Sequence, residues 1–371
     1  MSTLFSPFTL RGLTLPNRIV VSPMCQYSAE QGRATDWHMV HLGTLALSGA
    51  GMLCLEATAV EADGRITAGD LGLWDDATEA ALVPVLAAIR RRSRTAVTVQ
   101  LGHAGRKASS QLPWEGGQQI PAGQPGGWLT HAPSALAQKE GEALPLALDE
   151  AGLERVRTAF AAAARRAARL GLDAIEIHAA HGYLLHQFLS PLSNQRSDAY
   201  GGSLENRMRF PLEVFDAVRA AFPAEKPVGI RVSATDWVEG GWDLEQTVAF
   251  ARALKTRGVD WVDVSSGGIS PLQKIAIGPG YQVDFAEAVK TQAGVATIAV
   301  GLITEPHQAE AIVASGKADL VALARGVLYD PRWGWHAAAT LGATVEAPPQ
   351  YWRALPHEHK TLFGDTRFGS R

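Results

Sequence analysis

The sequence feature that most constrains the fold is a repeated alternation of short apolar, β-rich runs with helical patterns. Such an alternation is typical of βαβ units built around a parallel sheet. Several of the runs are apolar at consecutive positions, as expected of strands that are covered on both faces. Eight runs along one chain favour a single-domain (β/α)8 TIM barrel over an open sheet. The candidate strands are Arg18–Met24, Gly51–Ala59, Ala96–Leu101, Ala174–His178, Val228–Val232, Trp261–Ser265, Thr297–Val300 and Leu320–Ala324.

Helical patterns occupy the connections between these strands. The clearest is Glu150–Leu170, which has an acidic start, an Ala-rich body, arginines in its last turns and Gly171 as its stop. The remaining helices are predicted at Glu79–Arg92, Pro211–Ala221, Leu244–Arg257, Phe285–Gln292 and Pro306–Ser315.

Three further segments complete the predicted organisation. Leu4–Leu15, with a turn at Arg11-Gly12, is expected to form a short hairpin that closes the bottom of the barrel. Lys107–Pro145 is rich in Gly and Pro and has little periodicity, so we expect a long loop after the third strand that forms a wall of the active site. We assign residues 1–345 to the barrel and 346–371 to a C-terminal arm and tail.

Composition and charge exclude several classes of protein. Lys and Arg number 34 against 37 Asp and Glu, so no basic surface is available for a nucleic acid partner. The two cysteines, Cys25 and Cys54, are too few for a disulfide framework and lack CxxC spacing, which fits a reducing cytoplasm. No uninterrupted apolar run approaches the ~20 residues that span a bilayer, so no membrane association is expected.

Polar residues follow the predicted strands at their C-terminal ends, where TIM barrels carry their reactive groups. The first strand leads into Ser22 to Tyr27, and the fourth into His178 to Tyr183. The other polar ends are Gln100 and His103 at the end of the third strand, Arg231 on the fifth, Gly301 after the seventh and Arg325-Gly326 after the eighth.

His178 and His181 admit three interpretations. Imidazole is a common zinc ligand, but a catalytic zinc site needs a third ligand, and the nearest plausible neighbour, Arg231, would repel a cation. Alternatively, both histidines are satisfied by hydrogen bonds at the barrel top. In the third interpretation both imidazoles donate to a substrate oxygen while Tyr183 offers a proton, the arrangement that reduction of a conjugated carbonyl requires.

Such a reduction needs a hydride donor, but the sequence contains neither of the common nucleotide-binding motifs. No GxGxxG follows a strand and no GxxxxGK[ST] is present, so neither a Rossmann site nor a P-loop is predicted. TIM barrels instead hold a flavin phosphate with the loops after strands seven and eight. Val300-Gly301-Leu302 and Ala324-Arg325-Gly326 lie in those loops.

These residues resemble the Old Yellow Enzyme family of FMN-dependent ene reductases, in particular its thermophilic-like branch. The resemblance extends from Leu4 to Arg353 and is most specific over His178–Phe210, where HxxHGYL is followed by SNxRxDxYGGSxENRxRF. Further matches are NRIVVSPMCQYS from Asn17, EATAV from Glu56, GRIT from Gly64, HAGRK from His103 and VSSG from Val264.

The resemblance implies a non-covalently bound FMN and NADPH or NADH as reductant. Arg231 is expected near the N1/C2 carbonyl edge of the flavin, where a fixed cation stabilises negative charge. The family commonly has Gly at the position of Ala324, which makes that phosphate contact a departure from the pattern. The residues implied to bind the cofactor are Ser22, Pro23, Met24, Cys25, Ala57, Gln100, Arg231, Gly301, Ala324 and Arg325.

The resemblance also implies a ping-pong reduction of the C=C bond of an α,β-unsaturated carbonyl compound. His178 and His181 would hold the carbonyl oxygen, Tyr183 would protonate Cα, and Tyr27 would add a hydrogen bond to the substrate. Cys25 is expected to lie beside the flavin ring and to tune it rather than to act as a nucleophile.

The segment Pro348–Arg353 resembles the C-terminal segment that relatives insert across a dimer interface. A homodimer or homotetramer is therefore expected, in which Arg353 enters the active site of a neighbouring subunit. Two alternatives to the reductase are a zinc-dependent barrel hydrolase using His178 and His181, and a catalytically silent flavin-binding barrel.

Overall fold

The protein, described here by a computed structural model over residues 2–366, contains a closed barrel of eight parallel strands. Each strand pairs with its sequence neighbours, and the eighth pairs with the first. The predicted (β/α)8 barrel is therefore confirmed. The barrel strands are β1 (Ile19–Val21), β2 (Met52–Ala59), β3 (Ala96–Gly102), β4 (Ala174–Ala179), β5 (Val228–Ser233), β6 (Trp261–Ser265), β7 (Thr297–Val300) and β8 (Leu320–Leu323).

The first strand is shorter than predicted. β1 ends at Val21 instead of Met24. The N–H of Ser22 still donates to the carbonyl of Leu323 on β8, at 2.9 Å. Pro23 then offers no N–H to continue the ladder. Residues after Ser22 thus leave the sheet and run across the barrel mouth.

Helices connect the strands on the outside of the barrel. The clearest prediction, Glu150–Leu170, agrees with the observed helix to within one residue. The helices are α1 (Asp36–Ala46), α2 (Asp76–Arg92), α3 (Glu150–Arg169), α4 (Leu184–Leu189), α5 (Leu204–Ala221), α6 (Leu244–Thr256), α7 (Val283–Ala293), α8 (Pro306–Ala314), α9 (Arg325–Tyr329) and α10 (Trp333–Leu341).

Two differences from the predicted helices have clear causes. α5 begins at Leu204, not at Pro211, because Ser203 caps it by accepting the N–H of Asn206, at 3.3 Å. α1 was not predicted, because Leu42 lies on its buried face while Trp37 and Val40 are exposed, so its apolar residues form no stripe of helical period.

The N-terminal hairpin forms as predicted and closes the barrel bottom. Phe8–Leu10 pairs antiparallel with Leu13–Leu15. Leu10 and Leu15 are buried and pack with strand residues inside the barrel, among them Met52 and Trp261. The lower interior is therefore filled with apolar side chains, which leaves the opposite end for chemistry.

The segment after residue 345 packs against α10. The N–H of Val345 donates to the carbonyl of Leu362, at 2.8 Å, and both residues join Trp335 and Phe363 in a small apolar cluster. The division of the chain at residue 345 stays a prediction. Within residues 2–366, none of the helices combines the length and the apolar character that crossing a bilayer requires.

Candidate active site

A cavity of about 340 Å³ opens at the C-terminal ends of the barrel strands. Tyr27 from the segment after β1 and Lys107 from the segment after β3 line it. The loop after β3 supplies Ser110 and Gln119 to one side, and Gly268 after β6 lies on the other. The long loop therefore forms one wall of this cavity.

Three aromatic side chains from the end of β4 and the turn after it form a compact cluster at this end of the barrel. The ring of His178 lies edge-on to that of Tyr183, with centroids 4.8 Å apart. The ring of His181 lies edge-on to His178, with centroids 5.1 Å apart. His181 has a φ of +59°, and the glycine after it has a φ of +76°, so a tight turn folds the three side chains together.

The hydrogen bonds of His178 fix which ring nitrogen carries its proton. The N–H of Ala180 donates to Nδ1 of His178, at 3.2 Å. In a neutral ring the proton must then be on Nε2, which becomes a hydrogen-bond donor. Burial and the nearby Arg231 hold the pKa of His178 well below its usual value, so the ring is neutral.

His181 is held by the two strands that follow β4. Its N–H donates to Oγ of Ser233 on β5, at 2.9 Å, and its Nε2 is 2.8 Å from Oγ of Ser265 on β6. Burial, Arg231 and His178 lower its pKa well below the usual value. Two neutral imidazoles thus stand side by side with their positions set by the backbone and by serine hydroxyls.

The other titratable groups of the cluster retain their protons. Burial, followed by the repulsion of Cys25 and Tyr27, raises the pKa of Tyr183 well above its ordinary value. The pKa of Tyr27 is raised chiefly by burial as well. Burial and the carboxylates of Asp70 and Glu56 raise the pKa of the Cys25 thiol. These environments favour two phenols and a thiol over their anions.

Asp70 is a buried acid that sequence reasoning did not single out. It lies in a small space shared with Ala57, His178 and Tyr183. Its carboxylate accepts the N–H of Ile66 at 2.7 Å, but burial outweighs such hydrogen bonds and raises its pKa to about 7. The sequence feature that could have identified Asp70 was its position three residues after the GRIT motif.

A second polar group lies deeper in the barrel, on strands β3 to β6. The register of the parallel strands places His178 beside Arg231 and Arg231 beside Asp263. Nε of Arg231 is 3.4 Å from Oδ2 of Asp263. Gln100 donates to Glu176 on the adjacent strand, at 2.9 Å. The buried cation therefore has carboxyl groups on two sides.

The predicted cofactor residues converge on the same end of the barrel. Ala57 pairs with Gln100 in the β2–β3 ladder. Ser22 is buried, and its Oγ has no hydrogen-bond partner in the protein. Pro23, Met24 and Cys25 follow it and are half-buried. A polar atom of a bound ligand would satisfy that hydroxyl.

The loops after β7 and β8 supply the remaining predicted residues. Gly301 has a φ of +120°, and a Cβ added there would lie 2.7 Å from Nε2 of Gln282, which itself donates to the carbonyl of Val300. Ala324 precedes the short helix that begins with Arg325. Gln282 has no sequence signature that would have identified it.

Arg353 is the one predicted site residue that lies elsewhere in its own chain. It belongs to a 3-10 helix, Pro349–Ala354. The adjacent Trp352 lines a surface cavity with the arginine-rich end of α2 and with Arg94, just before β3. That cavity is at the N-terminal end of the strands, opposite the cluster around Tyr183.

His178 and His181 do not form a metal site with a third ligand within the described part of the chain. The grouping of three metal-capable side chains found among residues 2–366 is Glu61, Asp63 and His103. Nδ1 of His103 accepts the N–H of Gly105, at 3.0 Å, so a neutral ring carries its proton on the nitrogen that faces Glu61. A protonated nitrogen that faces the carboxylate favours direct electrostatic contact between His103 and Glu61 over metal ligation.

Comparison with known proteins identifies the family. The family described as "NADH:flavin oxidoreductase / NADH oxidase family" matches residues 3–342. An NADH:flavin oxidoreductase of Gibberella zeae is 47% identical over 93% of this chain and 87% of its own. An NADPH dehydrogenase of a Geobacillus species is 46% identical over 94% of this chain and 98% of its own. The structure of morphinone reductase superposes with a TM-score of 0.75 at 31% identity, covering 94% of this chain and 92% of that one.

The chain belongs to the NADH:flavin oxidoreductase / NADH oxidase family. The resemblance to Old Yellow Enzyme is confirmed, and the protein is an oxidoreductase that uses FMN and a pyridine nucleotide, NADH or NADPH. The zinc hydrolase alternative does not fit this family.

The residues of this flavin oxidoreductase fit FMN on grounds of their own. The unpartnered hydroxyl of Ser22 and the buried guanidinium of Arg231 offer a donor and a cation at the barrel top. The absence of a side chain at Gly301 keeps open the space beside Gln282 where a Cβ would collide. Both Arg325 and Arg231 lie close enough to Tyr281 to oppose the rise that burial causes in the pKa of its phenol. These residues thus offer complementary charge to the phosphate of FMN and to the polar edge of its flavin ring.

Proposed function

We propose that this protein is an ene reductase that reduces the C=C bond of α,β-unsaturated carbonyl compounds by a ping-pong mechanism. The observation that carries the proposal is a cluster of two neutral imidazoles and a protonated phenol, in which His178 packs against both His181 and Tyr183. Hydrogen-bond donors beside a proton source are what a developing enolate requires.

The two histidines hold the carbonyl oxygen of the substrate. His178 donates through Nε2, because its Nδ1 already accepts the N–H of Ala180. Since burial keeps both rings neutral, they donate without gaining or losing a proton across the neutral pH range. A preorganised donor of this kind contributes about 3 kcal/mol to the stability of a developing oxyanion.

Tyr183 delivers the proton to Cα. Its raised pKa keeps the phenol protonated until the substrate carbon becomes basic. Tyr27 adds a hydrogen bond to the substrate from the opposite segment, after β1. FMN, when bound, supplies the hydride that reaches Cβ.

We assign the cofactor contacts to the residues named from the sequence. Ser22 to Cys25 line the flavin, Ala57 and Gln100 lie against its ring, and Arg231 faces its N1/C2 carbonyl edge. Gly301, Ala324 and Arg325 hold the phosphate. Cys25 tunes the flavin as a neutral thiol, consistent with the effect of burial on its pKa.

The proposal is tested by the visible spectrum and by separate half-reactions. The purified protein should be yellow and release FMN on denaturation. In stopped-flow experiments, His178→Ala and His181→Ala should each slow reoxidation by cyclohexenone about 10²-fold, the loss of one oxyanion donor. Reoxidation of both variants at the wild-type rate would refute the role of the histidines, and a flavoprotein that no enone reoxidises would be the silent barrel.

Shared active sites are a second part of the proposal. We infer that Arg353 enters the active site of a neighbouring subunit of a homodimer or homotetramer, because the structure places it away from the site of its own chain. Pro348 and Pro349 stiffen the arm and lower the entropy lost when it is ordered. A guanidinium at the cavity mouth can hydrogen-bond a substrate oxygen or pair with a nucleotide phosphate.

Hybrid dimers test this arrangement. Subunits carrying Arg353→Ala are mixed with subunits inactivated by Tyr183→Phe. If the site is shared, one of the two pockets in a hybrid carries both lesions and the other carries neither, so its activity differs from that of unmixed variants. Sedimentation that shows only monomers, together with an Arg353→Ala variant of wild-type kinetics, would exclude the arm.

A further inference from the structure

Two loops at the barrel top touch each other through their backbones. His181 and Gly182 follow β4, Gly267 and Gly268 follow β6, and all four have positive φ. A Cβ added to Gly182 would lie 2.1 Å from the carbonyl oxygen of Gly268, and one added to Gly268 would lie 2.4 Å from the carbonyl carbon of His181. The two turns therefore depend on close contact that only glycine permits at these positions.

The carbonyl groups of this contact converge on one ammonium. Nζ of Lys107 donates to the carbonyl oxygen of His181 at 2.8 Å and to that of Gly268 at 3.3 Å. The same ammonium lies 5.0 Å from the centroid of the Tyr183 ring. A single cation from the loop after β3 thus bonds the turn after β4 to the turn after β6.

The preceding residue extends this connection. Arg106 donates to the carbonyl of Ile269, next to Gly268, at 2.8 Å, and to that of Ala137 in the long loop at 3.2 Å. Its guanidinium therefore secures the outer loops, while the ammonium of Lys107 reaches the backbone of His181 itself.

We propose that Lys107 is a positioning residue, whose ammonium holds the turn that carries His181 so that this imidazole meets the substrate oxygen. The inference rests on the proposed function of His181 as an oxygen donor. It adds that the positive charge of Lys107, and not only its bulk, maintains that position.

The charged groups around Lys107 make this dependence measurable. Burial, Arg106 and Lys139 lower the pKa of Lys107 to about 8, while Glu142 opposes the shift. His178 and His181 have lowered pKa values and Tyr183 a raised one, so these three groups do not titrate near pH 8. The pKa of Arg106 is lowered to about 10.

Raising the pH through about 8 therefore removes the charge of Lys107, while Arg106 stays charged and His178, His181 and Tyr183 stay neutral. The two carbonyl groups then lose their ionic partner, and charge-assisted hydrogen bonds are about twice as strong as neutral ones. We expect the affinity of the site for a carbonyl ligand to fall over this pH range.

The probe is cyclohexanone, which offers the carbonyl oxygen but no C=C bond to reduce. Its binding to the FMN-loaded protein is followed through the visible flavin spectrum from about pH 7 to 9. For the wild-type protein the Kd should rise as the pH passes about 8. Lys107→Met should raise the Kd at pH 7 by about 10-fold, the loss expected for one hydrogen bond between His181 and the ketone oxygen. It should also remove the pH dependence, and Lys107→Arg should restore part of the affinity.

Lys139→Met is the matched control. It removes an exposed charge that lowers the pKa of Lys107 without touching the two carbonyl groups. This variant should bind cyclohexanone like the wild type at pH 7, with the inflection moved to higher pH. If Lys107 acted only through packing, the Kd of Lys139→Met would show no such shift of its pH dependence.

The outcomes separate the two proposals. A wild-type Kd that is constant from pH 7 to 9, or a Lys107→Met variant with the affinity and pH profile of the wild type, overturns the role of Lys107. If Lys107→Met does not retain FMN, the wild-type profile and the Lys139→Met shift decide the question. Failure of the wild-type protein to bind cyclohexanone or to reduce cyclohexenone would instead refute the proposed function.

Discussion

Removal of both carboxyl groups beside Arg231 should destabilise the protein more than the sum of the two single substitutions. Burial raises the pKa values of Glu176 and Asp263, and the charge of Asp263 raises that of Glu176 further. The nearby Arg231 lowers both pKa values. Two acids that share one cation in a low-dielectric interior do not both ionise readily. When Asp263→Asn removes one, Glu176 ionises more easily and still balances the guanidinium.

The expected loss of stability follows from the burial of Arg231. The side chains of Arg231 and Asp263 are 8% and 2% exposed, and Nε of Arg231 has no hydrogen bond. Leaving such a cation without any partner costs about 3–5 kcal/mol, the expectation for Asp263→Asn combined with Glu176→Gln. Each single substitution should cost about 0.5–1.5 kcal/mol, the net value of one ordinary polar interaction, because the remaining carboxyl group still balances the guanidinium.

Denaturation by guanidinium chloride, followed by circular dichroism, gives the free energy of unfolding of the four proteins in the cycle. For 371 residues the unfolding entropy is about 0.8 kcal/mol/K, so the double variant should melt about 4–6 °C below the wild type. Asp284→Asn is the control. It breaks an exposed pair with Lys317 and should leave the stability nearly unchanged.

The result that refutes this reasoning is a full loss of 3–5 kcal/mol in Asp263→Asn alone, with no further loss in the double variant. Glu176 would then not compensate for its neighbour. A double variant as stable as the wild type would show that Arg231 needs neither carboxyl group.

Four further predictions concern single residues. Tyr183→Phe should slow the step that protonates the substrate by about 10²-fold to 10⁴-fold in stopped-flow reoxidation, with flavin reduction by NADPH retained. Cys25→Ala should retain turnover but shift the FMN reduction potential, and loss of turnover with FMN bound would count against a tuning role. Gly301→Ala should weaken FMN binding, measured by fluorescence titration, because its Cβ would collide with Gln282. Since the pKa of Asp70 is raised from 3.8 to about 7, the wild type should lose stability as the pH rises from about 4 to 7, and Asp70→Asn should flatten that part of the stability curve.

The barrel could be predicted because each of its strands corresponds to a short run of mostly apolar residues in the sequence. Trp261–Ser265 and Thr297–Val300 have the bounds expected from the sequence, since both faces of a parallel barrel strand are covered and every position is apolar or paired. α1 could not be predicted in this way, because its exposed apolar residues, Trp37 and Val40, interrupt the helical periodicity of its buried residues. The predicted start of α5 was wrong because a serine that can cap a helix, such as Ser203, is a weaker sequence signal of a helix start than a proline, such as Pro211.

The site shows a similar division between local and long-range information. The segment from His178 to Tyr183 carries its chemistry within six residues, so its side chains could be named from the sequence and the structure does bring them together. The groups that set their charge come from distant elements. Asp70 and Lys107 are separated from Tyr183 by more than 70 positions in the sequence, and no local pattern reports that burial changes their pKa values.

The arrangement of charge around the site has a consequence for catalysis. In the proposed reduction, the side that faces the carbonyl oxygen contains His178, His181 and the ammonium of Lys107. The carboxyl groups of Asp70 and Glu56 act on Cys25, and Asp70 also shares a small space with His178 and Tyr183. Negative charge that develops on the oxygen is therefore stabilised by two hydrogen-bond donors with a cation nearby. Because these groups are fixed by backbone hydrogen bonds before any substrate enters, no reorganisation is needed when that charge appears.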